Sequence, residues 1–207
     1  MSDTLIIVPY RNRAAHLAQF LSHMAKYFSH IPVCIIEQYE HKPFNRAKLL
    51  NIGYMENRTN NYYRSYAMHD VDMLPGINVD YSRSPFYMGV TQKVKSEIQL
   101  TDYLGGVTIF SHEAFYKSGG YNNEYFHRAE DNEMMFNLKR LNIEVRNEFQ
   151  EFTTLPHERK GPEFDPALWH KAQQKRAVQN QLTKQTCLYV VLDEKVFGSV
   201  RHLVVAI

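Results

Sequence analysis

The sequence predicts an α/β fold with a mixed central sheet flanked by helices. Three observations carry that expectation. Apolar strand-like runs alternate with helix-spaced runs over the first seventy residues. The third of those strands ends in two carboxylates, in His69-Asp70-Val71-Asp72. After residue 80 the pattern changes and the regular alternation is lost.

Thr4 to Val8 is a β-branched run ended by Pro9, the pattern of a buried strand. From His16 to Phe28, Leu17, Phe20, Leu21, Met24 and Phe28 fall at helical spacing. Val33 to Glu37 reads as a second strand and Phe44 to Met55 as a second helix, with Ala47, Leu50, Ile52 and Tyr54 as packing residues. Arg64 to His69 is the third strand. This β-α-β-α-β order predicts a Rossmann-like core of parallel strands with right-handed crossovers, which holds ligands at the strands' carboxyl ends. Farther on, Phe86 to Val94 and Gly106 to Phe110 read as strands and His112 to Lys117 as a short helix. Gly119-Gly120 breaks the chain before a helix from Asp131 to Leu141. Ile143 to Arg146 is strand-like and Pro166 to Leu182 helical, and two strands surround Phe197-Gly198-Ser199. With no linker, repeat or low-complexity tract, one domain over residues 1–207 is expected.

Composition narrows the function. A formal net charge of +2 is too small to indicate a nucleic-acid partner. No run approaches the roughly 18 apolar residues of a membrane span, and no basic segment followed by an apolar one opens the chain. Cys34 and Cys187 are too few and too far apart for a disulfide framework or a zinc site; as reduced core residues they suit a cytoplasmic protein. Tyrosine and phenylalanine are abundant, and they either line a carbohydrate or nucleoside site or fill the core; core filling accounts for most of them.

Several segments carry chemistry. Carboxylates one residue apart at a strand end can both face a divalent cation, magnesium or manganese, bridging a pyrophosphate; equally, Asp70 and Asp72 make a solvated turn. Pro9-Tyr10-Arg11-Asn12-Arg13 sets two guanidiniums beside a helix N-terminus, an anion site or a pair of solvated charges. Phe44 can stack on a base with Asn45 and Arg46 on ribose or phosphate, or else Phe44 is a hydrophobic staple and Asn45 a cap. Gly105-Gly106 either admits a substrate to the backbone or serves a tight turn. The stretch Tyr121 to Glu133 is polar, aromatic and acidic at a helix start, where the helix dipole favours acids and a carboxylate can also take a proton from a sugar hydroxyl. His157 lies in the charged loop Leu155 to Lys160, as a solvated residue or a metal ligand.

Taken together and in this order, these segments resemble the β-1,4-galactosyltransferase family (glycosyltransferase family 7), inverting enzymes with a GT-A-type nucleotide-sugar fold. The motifs are Ile6 to Arg13, Phe44 to Gly53, Asp70-Val71-Asp72, Tyr103 to Val107, Gly120-Tyr121 with Asn123, Glu130-Asp131 and His157, spanning essentially the whole chain. The resemblance implies transfer of galactose from UDP-galactose to a hydroxyl of a saccharide or glycoconjugate acceptor, with a β-linkage, β-1,4 in the family. Pro9, Tyr10, Arg11, Asn12, Arg13, Phe44, Asn45 and Arg46 would hold the UDP, with Lys93 and Arg159 also on the donor side. Val71 would touch the nucleotide, and Tyr103 would favour galactose over its N-acetylated relative. Asp72 and His157 would bind Mn2+, or Mg2+, with Asp70 in support. Gly105, Gly106, His127, Arg128 and Ala129 would lie by the acceptor, Glu130 would hydrogen-bond it, and Asp131 would be the general base. Residues up to about 100 would form the nucleotide-sugar half and the remainder the acceptor and catalytic half.

Three departures qualify the resemblance. Where the animal enzymes carry Trp-Gly-Gly in a mobile loop, this chain has His127-Arg128-Ala129. The Met or His that completes the family's metal site has no match in Thr154-Leu155-Pro156. The third acid of the family's loop is Asn132, followed by Glu133. Competing readings are the same fold with UDP-N-acetylgalactosamine or UDP-glucose, and a non-catalytic sugar- or nucleotide-binding scaffold. A two-aspartate phosphatase would want its Asp-x-Asp after the first strand rather than the third. The expected setting is a bacterial-type cytoplasmic enzyme of surface polysaccharide or glycoconjugate synthesis, free or peripheral at the inner face of the membrane.

Overall fold

The structure, a computed structural model, describes residues 2–59, 63–82, 86–88, 104–125, 129–148, 150–157, 166–174 and 177–207. In chain order the elements are β1 (Thr4–Tyr10), α1 (Ala14–Tyr27), β2 (Val33–Gln38), α2 (Arg46–Asn57), β3 (Ser65–His69), β4 (Met73–Pro75), β5 (Phe86–Met88) and β6 (Val107–Ser111). They continue with α3 (His112–Ser118), α4 (Glu130–Arg140), β7 (Arg146–Glu148), β8 (Phe152–Thr154), α5 (Pro166–Gln174), β9 (Val190–Phe197) and β10 (Val200–Ala206).

The βαβαβ expectation holds. Strand β1 lies between β2 and β3 and is parallel to both. The main sheet has eight strands in the order β7-β5-β6-β3-β1-β2-β10-β9. It is mixed: β6 runs antiparallel to β3, and β9 antiparallel to β10, whereas β10 is parallel to β2. Alternate residues of β1 feed opposite cores, as a strand's period of two requires. Ile6, Val8 and Tyr10 pack with Phe20, Met24 and Phe28 of the α1 side. Leu5 and Ile7 pack with Ala47, Leu50 and Tyr54 of α2 and with Met134 and Leu138 of α4. Helix α2 comes so close to the sheet that a Cβ on Gly53 would run into the Ile7 side chain, so glycine is required there by packing. Many of the aromatics do fill this core: Tyr54, Tyr66, Phe110, Phe115 and Tyr121 are all at most 1% exposed.

Three expectations are corrected or limited, and one element is added. The helix expected from Pro166 to Leu182 stops at Gln174 among the described residues. Residues 177–182 are irregular because their backbone is engaged elsewhere: Gln181 N donates to the Gly119 carbonyl and Asn123 Nδ2 to the Gln181 carbonyl, seating Leu182 in the core. The strand expected over Ile143 to Arg146 is shifted to Arg146–Glu148, because Ile143 N still closes the end of α4 on the Leu138 carbonyl. Of the strand Phe86 to Val94, residues 89–94 lie outside the described residues. A small second sheet, β4 with β8, was not expected from the sequence. Its strands are three residues each, too short for an alternation pattern to register.

Candidate functional site

The carboxyl ends of β1 and β3, the start of α2, the start of α4 and the loop after β8 converge at one end of the sheet. Asp70 leaves β3 with its backbone N–H on the Gly106 carbonyl, at 3.0 Å, so the glycine pair is a structural neighbour of the acidic motif. His69, just before it, is wholly buried. Its Nδ1 faces the Asp70 carbonyl at 2.9 Å and its Nε2 the Tyr81 hydroxyl at 2.9 Å. A carbonyl only accepts, so Nδ1 carries the proton and the Tyr81 hydroxyl donates to Nε2. Burial pushes the His69 pKa down to about 4, so this ring is a neutral strut beneath the two acids.

Two ionic groups form the floor. In the first, Asp72 Oδ2 accepts from Arg13 at 3.0 Å and lies 2.9 Å from His157 Nδ1. The small sheet makes this meeting possible: β8 pairs with β4, and Leu155 N donates to the Asp72 carbonyl at 2.7 Å, which delivers His157 two residues later. In the second, Arg46 donates from Nε to Asp70 at 2.7 Å and from a terminal nitrogen to Asp131 at 3.0 Å. Its side chain is 11% exposed and that of Asp131 9%. Burial raises the Asp131 pKa, with Glu130 and Asp70 adding to the rise and Arg46 opposing it. Arg46 itself is buried at a cost to its charge, yet Asp131 and Asp70 hold its proton well above the usual arginine range. Burial likewise raises Asp72, with Asp70 adding and His157 and Arg13 opposing.

The first βα loop splits its two arginines. Asn12 adopts φ 52°, a left-handed turn that asparagine tolerates. Arg13 then reaches Asp72, while the Arg11 guanidinium lies 5.4 Å from the centre of the Phe44 ring and binds the Glu40 and Lys42 carbonyls. Asn45 is a cap: its Oδ1 accepts from Lys48 N at 2.8 Å, and its Nδ2 donates to the Asn123 carbonyl at 2.7 Å. Pro9 and Tyr10 lie in β1 within the sheet, and Val71 turns its side chain into the core, leaving its backbone at the site.

Helix α4 opens with Ala129 at φ 80°, a left-handed conformation that costs a Cβ-bearing residue about 1–2 kcal/mol and glycine little. Glu130 and Asp131 follow in its first turn, 5% and 7% exposed, where the helix dipole favours them. Glu130 Oε2 is buried without a hydrogen-bond partner among the described residues. Lys93, Tyr103, His127, Arg128 and Arg159 lie outside the described residues.

Two contributors escaped the sequence reading. Asn51 takes the Tyr121 backbone from both sides and donates to Asn123 Oδ1 at 2.9 Å, tying α2 to the approach to α4. Its only sequence signal is a polar residue on an otherwise apolar helix stretch, Leu49-Leu50-Asn51-Ile52. His16 stands with its ring centre 6.3 Å from that of His157 and its Nε2 3.2 Å from the Pro156 carbonyl. In the stretch Thr154-Leu155-Pro156, which holds no match for the family's further metal ligand, Thr154 turns its hydroxyl to the Met73 sulfur at 3.4 Å.

The comparisons with known proteins agree with this arrangement. The N-terminal region of glycosyl transferase group 7 matches residues 1–82, and the N-terminal domain of galactosyltransferase matches residues 87–158. Human β-1,4-galactosyltransferase 4 is 34% identical over 129 residues, covering 58% of this chain and 38% of that protein. The rat protein of the same name is 28% identical over 201 residues, covering 91% and 58%. This chain thus spans less than two thirds of the length of these relatives. A solved structure of a Drosophila β-1,4-galactosyltransferase 7 mutant, in complex with manganese, UDP-Gal and xylobiose, superposes with a TM-score of 0.77 at 21% identity. That match covers 100% of this chain and 94% of the Drosophila chain, so the fold is shared throughout. With both halves matched in order and the acidic motifs gathered at one end of the sheet, the chain belongs to the β-1,4-galactosyltransferase family.

Proposed function

We propose that this protein is a metal-dependent inverting transferase that moves galactose from UDP-galactose to a hydroxyl of a sugar acceptor, forming a β-linkage, β-1,4 by its family. The observation that carries this reading is the pairing of two separate ionic groups at one crevice: Asp72 with His157, and Asp131 with Arg46. One suits a cation and the other a proton transfer.

The donor set fits a hard divalent cation. Adjacent ligands of an octahedral site with bonds of about 2.1 Å lie about 3 Å apart, and Asp72 Oδ2 and His157 Nδ1 are 2.9 Å apart. Carboxylate and imidazole together suit manganese, the metal in the Drosophila relative's complex. When bound, the metal supplies Lewis-acid stabilisation of the departing diphosphate. Arg13 supplies a charge that keeps the buried Asp72 tolerable, and His157 Nδ1 lies within hydrogen-bond reach of the same oxygen. Asp70 supports from the neighbouring position through Arg46.

The chain's own side chains do the rest. Arg11, Arg13 and Phe44, gathered where β1 ends and α2 begins, would hold the uridine diphosphate, with the backbone of Val71 beneath it. Glu130, with an unmet buried oxygen, would accept a hydrogen bond from the acceptor sugar. Asp131 would take the proton from the attacking hydroxyl as its oxygen displaces the diphosphate from the opposite face of the anomeric carbon. One in-line displacement converts an α-linked donor into a β-linked product. Burial makes Asp131 a stronger base than a solvated carboxylate, which favours that step. The N-terminal half would thus carry the donor and the C-terminal half the acceptor and the base. The buried free thiols of Cys34 and Cys187 are compatible with a reducing, cytoplasmic setting.

Incubation with UDP-galactose, manganese and a panel of saccharide acceptors should yield a β-galactoside and one UDP per bond formed, with UDP-glucose and UDP-N-acetylgalactosamine poorer. Absence of product across the panel, with metal-stimulated UDP binding intact, would point to a scaffold instead. Asp131→Asn should lower transfer about 100- to 10,000-fold while calorimetric binding of manganese and UDP stays near wild type; unchanged turnover removes Asp131 from the base role. Asp72→Asn and His157→Ala should each weaken manganese binding in the presence of UDP by at least about tenfold, read by the loss of the free-ion electron-spin-resonance signal. Undiminished binding in both variants would place the metal elsewhere.

A further inference from the structure

The sheet edge on the far side of β10 and β2 from the site presents a second surface. Strand β9 ends the eight-stranded sheet and is exposed along its whole length. Val190, Val196 and Phe197 are 61%, 64% and 66% exposed, and Leu192 is 49% exposed. A terminal strand with unpaired backbone groups and exposed apolar side chains is a template for another strand. The middle of β9, however, is Asp193-Glu194-Lys195, and charges there discourage pairing with an arbitrary strand.

Those same charges are complementary to themselves in one arrangement. If β9 pairs antiparallel with its own copy about Glu194, Asp193 stands opposite the partner's Lys195, and Lys195 opposite the partner's Asp193. Leu192 then meets the partner's Val196. Opposed charges and apolar pairs facing across strands both stabilise a ladder. Glu194, at the two-fold, is already neutralised by Arg201, whose Nε lies 2.7 Å from its carboxylate. Slipping the register by one residue one way sets Asp193 against the partner's Glu194; slipping it the other way sets Asp193 against the partner's Val196 and leaves Lys195 facing only Glu194, which Arg201 already holds. The shift in the β9–β10 register between Val204 and Val205 leaves Leu192 as an extra residue, and this bulge marks where a regular ladder would stop.

We propose that β9 is a self-association edge, through which two copies of this chain join about a two-fold axis into one continuous sheet. Such an interface is isologous and closes on itself, so it stops at the dimer. It also leaves each site open, because β10 and β2 separate β9 from β1 and β3.

Sedimentation equilibrium of the whole chain over a wide concentration range tests this. Wild type should dimerise reversibly. Lys195→Glu should weaken the dimer at least about tenfold, because each pair then opposes two acids. The double variant Asp193→Lys with Lys195→Asp mirrors the pattern and should restore association to near the wild-type level. Both side chains are half exposed or more, so the variants should melt at the wild-type temperature, and that melt is measured alongside. A wild-type protein that stays monomeric at every concentration overturns the proposal. A dimer indifferent to Lys195→Glu, or one that the double variant fails to restore, overturns it as well.

Discussion

The guanidinium of Arg46 lies between two carboxylates that the fold brings from distant parts of the chain, Asp70 at the end of β3 and Asp131 at the start of α4. The Arg46 and Asp131 side chains are largely withdrawn from water, Asp70 is partly so, and Glu130 adds another buried ionisable group beside them. An isolated charge in such a place is costly, and a buried group left without its partner destabilises a protein by about 3–5 kcal/mol. The site therefore depends on one cation arriving in the right place. Everything that aims Arg46 belongs to the scaffold: the Asn45 cap that starts α2, the close seating of Gly53 on β1, and the Asn51 bonds to the Tyr121 backbone.

A division of labour follows. Arg13 and His157 gather at Asp72, while Arg46 gathers Asp70 and Asp131, and the two groups meet only through the short Asp70-Val71-Asp72 segment. That spacing keeps the proposed metal corner next to the proposed proton acceptor without merging them. An acid that binds a cation cannot also serve as a free base, so the chemistry requires two carboxylates with different partners. The short β4–β8 sheet supports the first group and the left-handed turn at Ala129 the second. The β4–β8 sheet also adds Met73 and Phe152 to the core on the α1 side, and both features place side chains at the crevice.

Much of this was legible in the sequence because it rests on long, strongly patterned elements. Thr4 to Val8, Val33 to Glu37 and Arg64 to His69 announce buried parallel strands, and their carboxyl ends locate the crevice. The motifs holding Asp70, Asp72, Glu130, Asp131 and His157 mark them as candidate site residues, and the structure brings them to one end of the sheet. Their partners were not legible. Nothing in the sequence distinguishes an arginine that grips a ligand from one that bridges two buried acids, and Arg46 does the latter in the structure without ligand. The roles of Asn45 and Asn51 depend on contacts more than sixty residues away, to Asn123 and Tyr121. The irregular course of residues 177–182 was missed because helix propensity was outweighed by tertiary hydrogen bonds to Gly119 and Asn123.

The dependence on Arg46 is open to a direct measurement: the melting temperatures of wild type and Arg46→Met across pH 5 to 8. Methionine fills much of the same space but leaves Asp70, Asp131 and Glu130 without their cation. Asp131, which burial already raises against the opposing charge of Arg46, then rises further above its unfolded value, so stability present at low pH is lost as pH climbs. The account predicts a small deficit for Arg46→Met near pH 5 that widens steadily toward pH 8. A deficit of constant size across that range would show that Arg46 acts by packing alone, and would contradict the charge-neutralising role on which the site is built.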